Sequence, residues 1–98
     1  MTRVAVAPAA QAEIEEIVDF IAIDNVAAAE RVRAAIAKGI AQIGEWPAIG
    51  HSRADLTPRQ LRFWNVMGRY TIVYEGDERA ISILRVIGPG RDISRLLR

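Results

Sequence analysis

GRYTIVYEGDERAISILRVIGPGRD, Gly68 to Asp92, is the stretch whose reading decides the fold. Two runs rich in β-branched and aromatic residues, Arg69 to Glu75 and Arg79 to Ile87, meet at Gly76-Asp77-Glu78. A short Gly-containing joint between such runs predicts a β-hairpin. On the second run the period of two puts Ile81, Ile83, Arg85 and Ile87 on one face. A guanidinium among isoleucines is costly to desolvate unless an acid or another acceptor meets it. Two readings follow: an internal ion pair, with Glu75 or another acid as the partner, or an open binding surface.

Upstream, Leu61 to Val66 (LRFWNV) has strand character, and Met67-Gly68 turns it into the hairpin. The segment before it, residues 45–60 (EWPAIGHSRADLTPRQ), contains two prolines and a glycine and reads as a loop. It carries His51, the one histidine, with no visible partner for proton transfer. Further back, Asn25 is placed to cap a helix running to about Ile43, striped by Val32, Ile36, Ile40 and Ile43, with Gly44 as its stop. Its seven alanines allow close approach to a neighbour. An earlier helix starts at Pro8 and carries Ile14, Ile17, Val18 and Ile21. Glu13, Glu15, Glu16 and Asp19 occupy its other faces and read as a solvated surface, not a metal site. Helices joined by so few residues form an antiparallel hairpin. Thr2 to Ala7 is short enough to be an edge strand. Downstream, Gly88-Pro89-Gly90 ends the last strand, and Arg91 to Arg98 is too short to hold a helix without docking.

The expectation is a single α+β domain over residues 1–98, ordered β-α-α-β-β-β. A helical hairpin packs on a mostly antiparallel four-stranded sheet, followed by a short C-terminal tail. Length and a 51% hydrophobic content suit one soluble domain. Without cysteine there is no disulfide framework and no thiolate metal site, which suits a cytoplasmic location. No apolar run is long enough to span a membrane, and no secretory signal pattern is present. No cofactor or metal is implied. Charge is polarised: residues 1–48 hold four basic and seven acidic side chains, residues 49–98 nine and five. Of the thirteen basic residues only Lys38 is not arginine. Arginine gives two-pronged pairing to carboxylate or phosphate. An acidic protein partner fits this half, and the excess is too small to argue for sequence-specific nucleic-acid binding.

In this order and spacing, the chain resembles the ParE branch of the ParE/RelE toxin superfamily. The residues that carry the resemblance are Pro8, Glu13-Ile14, Ala28-Ala29, Pro47-x-x-Gly50, Arg62, Tyr70-x-Ile72-Val73-Tyr74, Ile83-Leu84-Arg85-Val86, Arg91-Asp92 and Leu96-Leu97. The resemblance implies the toxin of a type II toxin–antitoxin module, held in a hetero-oligomer by a ParD-like antitoxin. ParE-like members act on DNA gyrase, whereas RelE-like members cut messenger RNA on the ribosome. RelE-like nucleases use a groove rich in lysine and arginine with a late tyrosine or histidine. Here Arg85 matches that groove's arginine, but Gly88 stands where many relatives have histidine and Ile93 where a nuclease has its tyrosine. Metal-free RNA cleavage needs a base, an acid and cations on the phosphate. With neither acid nor base expected near Arg85, the reading is a gyrase-inhibiting toxin that is not an enzyme. A ribosome-dependent nuclease and a non-toxic antitoxin-binding module are the alternatives. Ile81, Ile83 and Arg85, with Arg62 and Tyr74, are the candidate groove for the antitoxin. Arg91, Arg95 and Arg98 are the candidate target-binding residues, on a tail freed by Gly88-Pro89-Gly90. The alternative for that tail is that Leu96 and Leu97 dock it on the sheet.

Overall fold

The computed structural model describes residues 2–97. Its elements run β1 (Arg3–Val6), α1 (Pro8–Ala22), α2 (Val26–Glu45), β2 (His51–Ser52), β3 (Arg62–Val66), β4 (Tyr70–Gly76), β5 (Ala80–Ile87) and α3 (Ile93–Leu96). The helical hairpin α1–α2 covers one face of a sheet ordered β1-β5-β4-β3-β2. β1 is parallel to β5 and all other neighbours are antiparallel. The α+β expectation holds, with one strand more than foreseen. The fifth strand is β2, which pairs His51 with Phe63 and Ser52 with Arg62 inside the segment read as loop. Two residues are too few for alternation to show.

The helix boundaries follow from local chemistry. Pro8 sits in the first turn of α1, where its missing N–H has no intrahelical role. Asn25 Oδ1 accepts from the Ala28 backbone N–H and starts α2. Gly44 does not stop α2, which runs on to Glu45. A Cβ at Gly44 would lie 2.9 Å from Val4 Cγ2, so the glycine serves the close approach of α2 to β1.

The larger core lies between helices and sheet. Ile14 and Val18 of α1 and Val32, Ile36 and Ile43 of α2 bury against Ile72, Tyr74, Ile81, Ile83 and Val86. A smaller cluster, Leu61, Phe63, Val73 and Ile87, occupies the opposite face. It is covered by Leu56 and by Leu84, Ile93, Leu96 and Leu97. The expected sharing of one face by Ile81, Ile83, Arg85 and Ile87 therefore fails at its end. A bulge is the reason: Val73 pairs with Arg85 and Tyr74 with Ile83, leaving Leu84 extra. Beyond it, Val86 joins the helix-covered core and Ile87 turns to the other face.

Candidate functional site

Arg85 is the internal ion pair of the two readings, and its partner is Glu13, not Glu75. Arg85 Nε and Nη2 donate to the Glu13 carboxylate at 2.9 and 2.7 Å. Glu13 Oε1 also accepts from the Val86 backbone N–H at 3.0 Å. Arg85 Nη1 donates to the Leu96 carbonyl at 2.9 Å. One guanidinium thus joins α1, the bulged part of β5 and the C-terminal segment. The Glu13 hydrogen bonds push the Arg85 guanidinium further up from its ordinary value, against the opposing effect of burial. Two expectations are corrected here. An acid does stand beside Arg85, and Glu13 is not part of a solvated face. Its neighbour Glu15 also leaves solvent in part, reaching Arg33 of α2 with both oxygens at 2.8 and 3.0 Å. Glu75 instead meets Arg59 at 3.4 Å on an exposed rim.

Three of the other candidate groove residues are buried in the fold. Ile81, Ile83 and Tyr74 are covered by the helical hairpin and offer a partner no surface. Tyr74 Oη donates to the Pro47 carbonyl and accepts from the Gly50 N–H, both at 2.8 Å. Arg62 Nη1 donates to the Gly50 carbonyl at 2.8 Å. A Cβ at Gly50 would lie 2.7 Å from that tyrosine oxygen, which explains the Pro47-x-x-Gly50 spacing. These side chains pin residues 47–50 to the sheet.

The tail is docked rather than freed. Leu96 and Leu97 pack on the smaller cluster, Asp92 caps α3 by accepting from Arg95 N–H, and Arg85 holds the Leu96 carbonyl. Arg91 and Arg95 remain exposed on this docked segment, while Arg98 lies outside the described residues.

One concavity is not suggested by the sequence. A cleft of about 740 Å³ opens between α1 and the far ends of β4 and β5. Ile17, Phe20 and Ile21 form its helical wall, and Tyr70 and Val86 lie opposite. Arg69, Arg91 and Glu16 stand at its rim, and the Glu13–Arg85 pair closes one side. Phe20 leaves 76% of its surface exposed, and Ile23, one turn on, 78%. The available signal was spacing: Glu13, Ile17 and Ile21 lie four residues apart, on one stripe of α1. Among the described residues, no three His, Asp or Glu side chains form a group that could hold a metal ion. No helix among them is long and apolar enough to cross a membrane.

A helical hairpin on a mixed sheet is an α+β arrangement with solved members. The chain is similar to a chain of the chromosomal ParDE toxin–antitoxin system from P. aeruginosa, with a TM-score of 0.75 and 16% identity. That likeness covers 91% of this chain and 97% of the other, and it establishes the fold. A search of curated protein sequences gave no match. The family profile described as the ParE toxin of the type II toxin–antitoxin system parDE matches residues 4–93. The chain belongs to the ParE toxin family.

Proposed function

We propose that this chain is the toxin of a type II pair, neutralised in the cytoplasm by a ParD-like antitoxin, and that it arrests growth through DNA gyrase without being an enzyme. Family membership supports the toxin reading, and the likeness to a ParDE complex component supports the partner. The observation that carries the non-enzymatic part is the engagement of Arg85. Its Nε, Nη1 and Nη2 each donate within the fold, and the two-pronged Nε–Nη2 edge of the arginine matching the nuclease groove is occupied by Glu13 rather than open to a phosphate. Glu13, the one acid on it, already accepts from Arg85 and from Val86 N–H. His51 is on β2, three strands from β5, or about 14 Å at the usual strand spacing. Tyr74 spends its hydroxyl on Pro47 and Gly50.

The groups left to meet a large partner are Arg91 and Arg95, held out from a docked segment. Arginine keeps its charge and pairs with carboxylates or phosphates in two-pronged fashion. Induction of the gene is expected to cause gyrase-dependent double-strand breaks, and Arg91→Ala with Arg95→Ala to abolish toxicity while the protein stays folded. Growth arrest with intact DNA and normal supercoiling would remove gyrase as the target. New 5′ ends in cellular messages, lost in Arg85→Ala, would show a nuclease instead.

A further inference from the structure

A strand without a neighbour leaves backbone groups unpaired, and folds close such edges by shortening, charging or capping them. At one end of this sheet β2 is two residues long and leaves little to pair with. Where β5 runs on past the end of β1, Glu13 Oε1 takes the Val86 N–H at 3.0 Å. The other end of the sheet is β1, which has neither device. Arg3 and Ala7 donate their N–H groups to the carbonyls of Arg79 and Ile83 at 3.0 and 2.8 Å. Strand alternation therefore turns the N–H and C=O of Val4 and Val6 away from β5. Among the described residues no other hydrogen bond takes up those groups. Every residue of β1 is exposed, Val4 and Val6 by 38% and 36%, and neither a proline nor a register shift interrupts the strand.

We infer that β1 pairs antiparallel with β1 of a second copy, joining two sheets into one across a two-fold axis. Residues opposite one another must share a face, and setting Ala5 against Ala5 on the axis places Val4 against Val6 of the second copy, and Val6 against its Val4. The outward backbone groups then exchange hydrogen bonds at both positions. The valine side chains meet on the helix-covered side, where Val4 and Val6 stand beside Ile81 and Ile83. Arg3 falls opposite Ala7 of the second copy. A register with Arg3 on the axis would instead set two guanidiniums face to face. Pairing of identical edges closes on itself, whereas β1 against β2 of another copy would leave free ends and grow filaments. A four-residue edge buries little area, so the dimer is weak and forms at about micromolar concentration or above. This pairing goes beyond the toxin reading and does not depend on what the toxin acts on.

The chain has no cysteine, so a single introduced thiol reports the register. Ala5→Cys sits on the axis, where opposed Cα atoms of a non-hydrogen-bonded pair lie about 4.5 Å apart, within disulfide reach. Mild oxidation of the purified full chain is expected to cross-link Ala5→Cys into a dimer and to leave Val4→Cys and Val6→Cys largely monomeric. Sedimentation at rising concentration should show a monomer–dimer equilibrium in the wild type. Val4→Pro removes an N–H that β5 does not use, so circular dichroism and melting should stay near wild type while dimerisation weakens about tenfold or more. Val6→Lys is the second variant, setting a charge against the facing edge while keeping the backbone donor. A monomer at every concentration, with no Ala5→Cys cross-link, overturns the inference. So does a dimer that survives both Val4→Pro and Val6→Lys, because its copies meet elsewhere. Cross-linking of Val4→Cys as readily as Ala5→Cys overturns the register. If hydrogen exchange slows over 3–6 only with another protein bound, the edge belongs to that protein and not to a second copy.

Discussion

The two faces of the sheet are built on different principles. Under the helices, long regular elements bury aliphatic side chains, and the order of α1 and α2 is set by their own periodicity. On the opposite face a handful of apolar residues is covered by irregular chain, the segment around Leu56 and the short α3. There the covering is held by individual polar contacts, above all the Arg85 Nη1 bond to the Leu96 carbonyl. The first face gives the domain its stability. The second positions exposed arginines, and so a loss there should affect function before it affects folding.

The sharpest way to break this contrast is a cavity under the helices. Ile36→Ala removes three carbons from a side chain 1% exposed and should cost about 3–4 kcal/mol in urea unfolding. If it costs less than the tail substitutions below, the helix-covered face is not the main core.

Next comes the staple between the two faces. Arg85→Ala leaves the half-buried Glu13 carboxylate without its cation and the Leu96 carbonyl without a donor, a loss of about 2–3 kcal/mol. Arg85→Met with Glu13→Leu should recover part of this, because matched apolar groups replace ion pairs at little cost. Recovery should fall short by about 1–2 kcal/mol, since Val86 N–H loses its acceptor and the Leu96 carbonyl still lacks a donor. Thermal melts of the wild type and the two variants check the pattern.

On the tail, Leu96→Ala with Leu97→Ala should cost about 2 kcal/mol, these residues being partly buried on the smaller cluster. Protease should then clip near 88–92 while the rest of the domain resists. Uniform destabilisation without local cleavage would mean that the two faces unfold as one.

How far the sequence spoke follows the same division. Helices, hairpin and edge strand were legible because period and punctuation act locally: Pro8, Asn25 and Gly76 each act within a few residues. Arg85 was legible as a problem, a cation on an apolar face, but its solution lies seventy-two residues away on Glu13. Nothing local brings those two together, and Glu13 stands in a run of acids that reads as a solvated face. The bulge at Leu84 was invisible for another reason, since ILRVI alternates as well with it as without it. The cleft was missed because it belongs to no element. It is the gap left where α1 passes the ends of β4 and β5.

The smallest effect concerns Tyr74, which links the well-packed face to the loop at 47–50. Its ring is fully buried, and burial pushes its phenol up from the ordinary value, partly offset by the Gly50 N–H and by Arg62. The folded state therefore holds the proton more tightly than the unfolded chain, where tyrosine titrates near about 10. A group whose folded value is raised contributes stability fully below the unfolded value, and the contribution is lost as pH rises through the folded one. Tyr74→Phe should cost about 1 kcal/mol at neutral pH, because Pro47 O and Gly50 N–H lose their shared partner. Above about pH 10 the wild type should lose stability faster than the variant, and the two unfolding curves should converge. Curves that coincide at neutral pH would mean that the hydroxyl bond does not hold the loop, leaving Arg62 to pin residues 47–50 alone.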